Sequence, residues 1–316
     1  MRITVLAGGV GAARFLRGLT AAVPDAEITV IGNTGDDIIL NGLHVCPDLD
    51  TVMYTLGGGI SEEQGWGRAD ESFTVQRELA AYGSGPDWFA LGDRDIATHI
   101  VRTQRLAAGQ PLSAVTGELC RRWQPGVRLL PMTDDPVQTH VVIDENGSRR
   151  SIHFQEWWVR LHAAVPAVEI TPTGAAAAAP GPGVLEAIGS ADFVILPPSN
   201  PVVSVGPILA VPGISGAVRR KTVVGVSPII GGAPVRGMAD ACLTAIGVQT
   251  SASAVAAHYG PDLLDGWLVD GQDKAAADDP RLAGIEVRAL PLYMRDAATT
   301  AEIATAAVDL ATELLS

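Results

Sequence analysis

Short β-branched runs alternate with amphipathic stretches at both ends of the chain, and between them the period of the pattern changes. Residues 2–6 and 27–32 are strand-like runs flanking a helix-like segment at 12–22, the opening of a β-α-β unit with its glycines in the first turn. From about residue 59 to 123 the spacing becomes helical. Ile96, His99, Ile100 and Thr103 share one face, as do Leu112, Val115 and Leu119. Residues 139–144 and 149–155 then form two extended runs around Glu145, Asn146 and Gly147, a hairpin signal. Residues 163–183 predict a strand followed by a surface loop that carries five consecutive alanines.

Alternation resumes with strands predicted at 192–196, 222–226, 267–269 and 286–290, separated by helix-like runs such as 238–246. A terminal helix carries Ile303, Ala307, Leu310 and Leu314 at helical spacing. Together these elements predict an α/β protein, a single Rossmann-like, doubly wound domain over residues 1–316 with a mainly parallel sheet. A helical and hairpin insertion at about 59–160 would cover the substrate cleft.

Composition narrows the partners. With 47% hydrophobic residues among 316, the chain has material for one large core. Its formal net charge of -13 opposes binding to nucleic acid and to an acidic membrane surface. Lys221 and Lys274 are the only lysines, so an anion site must rely on arginine forks or backbone N–H groups. Cys46, Cys120 and Cys242 lack C-x-x-C spacing, which predicts neither disulfides nor zinc and fits a reducing cytoplasm. The first residues are too interrupted by glycine and arginine for a signal peptide. The uncharged stretch 194–218 holds five prolines, so it is expected as buried loop and strand, not as a membrane helix.

Four segments carry candidate chemistry. In GGVGAARF, Gly9, Gly11 and Arg14 occupy the places of a G-x-G-x-x-G fingerprint with arginine replacing the last glycine. Such a turn lets backbone N–H groups and a helix N-terminus meet a phosphate, although a plain strand-to-helix turn would look the same. Asp36, Asp37, Asp48 and Asp50 lie in two short loops and could hold magnesium beside substrate phosphates; Asp37 and Asp48 are the two most easily explained as turn residues or caps. Trp88 and Phe89 precede Asp93 and Asp95, and Trp66 between two glycines is the better candidate for stacking on a planar ring. Ser199, Asn200 and Ser204 follow a buried strand, where open α/β sheets bind ligands. Gly231, Gly232 and Arg236 repeat that arrangement after the next strand. No H-x-x-x-H spacing supports zinc.

In their order, LAGGVGAARFLRGL, NTGDD, CPDLDTVMYTLGGG, WFALGDRDIATHI, HFQEWWVR, PPSNPVVSVGPIL and VSPIIGGAPVRGMAD resemble the 2-phospholactate transferase family of coenzyme F420 biosynthesis, most of all its actinobacterial phosphoenolpyruvate transferase branch. The resemblance implies a cytoplasmic homodimer and a Mg2+-dependent reaction with the deazaflavin Fo. The donor would be lactyl- or enolpyruvyl-diphosphoguanosine, with GMP leaving. Gly8, Gly9, Gly11, Ala12 and Arg14, with Ser199, Asn200 and Ser204, would hold the guanine nucleotide. Asp36 and Asp50 would hold the metal, and Asp50, Asp36 and Arg14 would serve catalysis, Asp50 also orienting the attacking hydroxyl. Asp50, Trp66, Trp88, Gly92, Asp93, Met132 and Thr133 would meet the deazaflavin. Some relatives carry a further glycine where this chain has Ala12. A nicotinamide dehydrogenase would share the glycine loop but requires an acid where Gly32 and Asn33 end the second strand. A nucleotide-sugar-binding regulator would share the loop and the Ser-Asn-Pro turn without needing the aspartates.

Overall fold

The computed structural model describes residues 1–145 and 147–316. The chain opens with β1 (Arg2–Ala7), α1 (Gly9–Ala22) and β2 (Glu27–Gly32), then a small hairpin of β3 (Ile38–Leu40) and β4 (Leu43–Val45), then α2 (Pro47–Leu56). Helices α3 (Thr74–Ala81), α4 (Asp93–Ala107) and α5 (Leu112–Trp123) lead to β5 (Arg128–Pro131). An antiparallel layer follows, with β6 (Gln138–Glu145), β7 (Ser148–His153) and β8 (Ala167–Thr173) in the order β7-β6-β8. The second half runs through α6 (Val184–Ser190), β9 (Phe193–Leu196), α7 (Gly206–Ala210), α8 (Ile214–Val218) and β10 (Thr222–Val226). It continues with β11 (Ile229–Ile230), β12 (Ala233–Pro234), α9 (Ala239–Ala245), α10 (Ala252–Tyr259), β13 (Gly266–Val269), β14 (Glu286–Ala289) and α11 (Ala297–Leu314).

Seven strands form the central sheet in the order β14-β13-β10-β9-β1-β2-β5, every neighbouring pair parallel. Because helices cover both faces, strand residues of both parities are apolar and buried. Ile3, Val5 and Ala7 of β1 point into a core shared with α1, α2 and α11, whereas Leu6 points into the opposite core with α6, α8 and α10. The chain winds from β1 outward to β2 and β5, returns to β9 on the other side of β1, and continues to β10, β13 and β14. The carboxyl ends of β1 and β9 therefore part company, and a crevice opens between them. Helix α1 lies close on α11: a Cβ added at Gly18 would lie 2.5 Å from the Thr300 carbonyl oxygen.

Several local expectations change. Within the predicted insertion, residues 128–131 form β5, which pairs with β2 and divides the inserted material into a helical part and an antiparallel sheet. Residues 194–218 begin in strand β9 as expected, but continue in helical turns at Pro201–Val205, α7 and α8 where loop was expected. Pro201 and Pro207 sit in first turns, where a missing N–H costs nothing. The alanine run makes a short helical turn at Ala175–Ala177, and Ala175 and Ala178 pack into the core because only small side chains fit there. Of the hairpin turn, Asn146 lies outside the described residues. Among the described residues no helix is long and apolar enough to cross a membrane.

Candidate functional site

The glycine loop and the Ser-Asn-Pro turn meet at the parting of β1 and β9. Gly8 is extended, and Gly9 turns the chain into α1 with φ +77°. A Cβ on Gly8 would lie 2.6 Å from Ser204 Cβ and 2.7 Å from Asp48 Oδ2, and one on Gly11 would strike the Pro198 carbonyl. Ser199 Oγ donates to the Gly8 carbonyl at 2.9 Å and sits 3.4 Å from the Gly8 N–H. Asn200 Oδ1 accepts from Val202 N at 2.9 Å and Val203 N at 3.3 Å, capping its own turn. Ala12 is buried in the core beneath the loop, and Arg14, one turn into α1, is part-exposed.

Two aspartates flank this loop with no ion-pair partner among the described residues. Asn33, fully buried at the end of β2, donates to Asp48 Oδ2 at 2.8 Å and to the Val203 carbonyl at 3.1 Å, and its Oδ1 accepts from Gly35 N at 2.8 Å. Asp48 Oδ1 takes the Gly9 N–H at 2.7 Å, so Asp48 caps α1, a helix other than its own. Burial pushes the Asp48 carboxyl up to about 6, against the Asn33 amide and the Gly9 N–H. Asp36 is likewise raised, first by burial and then by the charges of Asp48 and Asp37. Asp36 Oδ1 and Thr34 Oγ1 are buried with no hydrogen-bond partner among the described residues. A carboxylate pair of this kind demands a proton or a cation.

Asp50 has a different partner. It stands two residues after Asp48 in the first turn of α2 and is also buried. Arg102 of α4, itself buried, reaches Asp50 Oδ2 through Nη1 at 3.0 Å, pairs with Oδ1 through Nη2, and donates to the His44 carbonyl at 3.2 Å. Burial alone would weaken the Arg102 charge; Asp50 overcomes it and holds the guanidinium more firmly protonated than usual. His99 Nδ1 lies 3.2 Å from Arg102 Nη1 and His99 Nε2 lies 3.3 Å from Asp95 Oδ2, while Tyr54 donates to Asp95 Oδ1 at 2.6 Å. The network ties α2 to α4. The carboxylate beside Asp36 is thus Asp48, and the oxygens of Asp50 are spent on Arg102.

The residues expected on the deazaflavin side are spread over α2, two loops, the start of α4 and the segment after β5. Trp66 is 45% exposed in a loop whose Gly65 and Gly67 both have positive φ. Trp88 packs edge-on against Phe89 with ring centres 5.9 Å apart, and Phe89 lies on a small core of Leu40, Val45, Leu91 and Ile96. Gly92 caps α4 tightly against the Glu71 side chain. Asp93 accepts from Ser72 Oγ at 2.6 Å and from Thr74 N and Val75 N at 3.0 Å, which holds its carboxyl down at about 2. Met132 is fully buried, and Thr133 donates to the Ala179 carbonyl at 2.6 Å. Asn33 and Arg102 were not singled out in the sequence. Asn33 could have been found, because it directly follows the strand next to the crevice.

The family's sequence profile, described as 2-phospho-L-lactate transferase CofD, matches residues 3–291. The chain belongs to this family. The role in coenzyme F420 biosynthesis implied by the sequence motifs stands with it. A protein of Thermobifida fusca named phosphoenolpyruvate transferase is 69% identical, with 99% of each chain covered. Proteins of the same name from Streptomyces griseus and Mycolicibacterium smegmatis are 66% and 54% identical, covering 99% and 98% of this chain and 99% of each of theirs. A crystal structure of a UPF0052 family member from Bacillus halodurans superposes with a TM-score of 0.61 at 18% identity, over 97% of this chain and 99% of that one, and so shares the fold.

Two outcomes follow for the 2-phospho-L-lactate transferase site. A carboxyl raised above its unfolded value stabilises fully below about pH 4 and loses that contribution as pH rises through about 6. Asp48→Asn should therefore gain stability relative to the parent chain, by on the order of 2 to 3 kcal/mol, as metal-free protein is taken from pH 4 to pH 7. Urea denaturation at each pH measures it, and a constant offset between the two proteins would contradict the assignment. Arg102→Met should lose about 3 to 5 kcal/mol by stranding the Asp50 charge, and adding Asp50→Asn should recover part of that loss. Strictly additive losses in the double variant would show that the two side chains do not interact.

Proposed function

We propose that the chain transfers an enolpyruvyl-phosphate group from enolpyruvyl-diphosphoguanosine to the terminal hydroxyl of Fo, releasing GMP and giving dehydro-F420-0. The observation that carries this reading is the convergence of the glycine loop, the Ser199 to Ser204 turn and the Asp36–Asp48 pair in one crevice. Relatives between 54% and 69% identical are named phosphoenolpyruvate transferases, which favours the enolpyruvyl over the lactyl conjugate.

In this reading the N–H groups opening α1 and the Arg14 guanidinium take the diphosphate, and the uncharged Ser199 to Ser204 turn lines the guanosine. The residues present fit Mg2+: Asp36 offers a buried oxygen without a partner, and Asp48 lies beside it. Among the described residues no three His, Cys, Asp or Glu side chains converge, and Mg2+ ordinarily takes one or two carboxylates with phosphate and water. When bound, the ion would neutralise charge on the diphosphate. The hydroxyl oxygen attacks the phosphorus bearing the enolpyruvyl group, the bond to GMP breaks opposite, and the hydroxyl proton passes to a carboxylate oxygen of the crevice that the ion leaves free. Asp50, held by Arg102, anchors the turn that carries Asp48. Trp66, Trp88 and the start of α4 belong to the Fo side.

The test is GMP release from the enolpyruvyl, lactyl and glyceryl conjugates with Fo, with mass spectrometry of the product. Asp36→Asn should cut turnover by about a hundredfold or more while melting no earlier than the parent chain. Absent turnover, with UDP-N-acetylglucosamine binding as tightly as GDP, would make the protein a nucleotide-sugar binder instead. The reading includes a homodimer, for which light scattering at micromolar concentration should give twice the 32.8 kDa chain mass; a monomer there would remove the dimer from it.

A further inference from the structure

Two guanidinium groups meet at the rim of the glycine loop with no carboxylate between them. Val10 and Arg14 are four residues apart and share a face of α1. Arg236 follows the β11–β12 hairpin, beyond the carboxyl end of β10, and approaches the same face: a Cβ built on Gly65 would lie 2.9 Å from both Arg236 Nη1 and Val10 Cγ1. One Arg236 N–H goes to the Gln64 carbonyl. Among the described residues the Arg14 side chain makes no hydrogen bond, and neither arginine forms an ion pair, whereas Arg17, about one turn further along, is bound to Glu62 at 2.8 Å. Partial burial, and then the charge of Arg14, lower the Arg236 pKa. The fold thus keeps two like charges together at its ligand crevice and supplies no internal counter-ion.

We propose that Arg236, beside the Arg14 that meets the diphosphate, is the subsite for the carboxylate of the donor's enolpyruvyl group. This deepens the transferase reading and rests on it. In the transferase reading the diphosphate meets the N–H groups at the start of α1 and Arg14, and the Asp36–Asp48 pair, on the Gly8 and Gly9 side of the loop, would hold Mg2+. Arg236 reaches α1 at Val10 from the side of the β11–β12 hairpin, across from the Gly8 and Asp48 contact. The enolpyruvyl carboxylate lies a few bonds beyond its phosphorus, and a planar carboxylate matches a guanidinium fork. Arg236 also holds the loop that carries Trp66, so filling the subsite would fix that loop as well. Selectivity for an acidic donor then resides in a side chain of the second half of the sheet, outside the glycine loop.

The experiment compares the chain with Arg236→Gln and Arg236→Lys. Calorimetry with GDP and Mg2+ gives nucleotide affinity, steady-state GMP release gives KM for the enolpyruvyl conjugate, and melting curves check folding. Arg236 is exposed, so folding should be unaffected. In Arg236→Gln the KM should rise by at least about tenfold while GDP affinity stays within about twofold, and Arg236→Lys should fall between. A GDP affinity that weakens as much as KM rises would place Arg236 on the diphosphate and overturn the proposal. An unchanged KM would overturn it as well. If the parent chain fails to bind GDP, the transferase reading itself is what has failed, and the subsite falls with it.

Discussion

Where β1 and β9 diverge, two backbone turns approach so closely that a single methyl group on Gly8 or Gly11 would collide with the opposing segment. Ser199 spans the gap by bonding to Gly8, and Asn33 holds the Val203 carbonyl from beneath. With the turns pressed together, the opening N–H groups of α1 face a crevice lined by uncharged serines. A bulkier residue would move the β9 turn outward and carry Ser204 and Val203 away from Asn33 and Asp48. The crevice is therefore a consequence of parallel-sheet topology combined with the absence of two side chains.

Charge is buried around this contact in two unlike ways. Asp50 lies in a closed arrangement with Arg102, His99, Asp95 and Tyr54, in which the charge of the carboxylate is met inside the protein and two helices are joined. Asp36 and Asp48 lie in an open one. They are supported by neutral groups alone among the described residues, so burial raises both pKa values, and the charges of Asp48 and Asp37 raise that of Asp36 further. The first arrangement makes the turn of residues 44–50 rigid; the second leaves a need that a cation or a proton from outside can meet. A turn held rigidly on one side can present a strained carboxylate on the other, which links packing between α2 and α4 to chemistry at the crevice.

The inserted helices show the same division. Asp93 and Gly92 are occupied in building the junction of α3 and α4, and Met132 and Thr133 in packing the end of β5, whereas Trp66 stands exposed on a glycine-hinged loop. That loop is tied back to α1 by Arg17 through Glu62 and to the segment after the β11–β12 hairpin by Arg236 through Gln64.

The order of strands and helices was legible in the sequence because the periods of 2 and 3.6 are local properties, and β1, β9, β10, β13, β14 and α11 all stand where periodicity placed them. The glycine loop and the Ser-Asn-Pro turn were legible as separate motifs, since each needs particular residues at fixed spacing. Strand β5 was not, because a four-residue edge strand is decided by the neighbour it finds in β2. Nor were the partners of the aspartates. Asp48 and Asp50 are equivalent in a sequence, two acids in one short segment, yet successive positions in a helix's first turn face different ways. One meets Gly9 and Asn33, the other Arg102, and which charge is left unmatched depends on groups 39 and 52 residues away along the chain. Sequence by itself determined the elements and the chemical types available. Tertiary structure decided which carboxylates are neutralised internally and which are left for a ligand, because that depends on distance and burial, and neither is a property of neighbours in the chain.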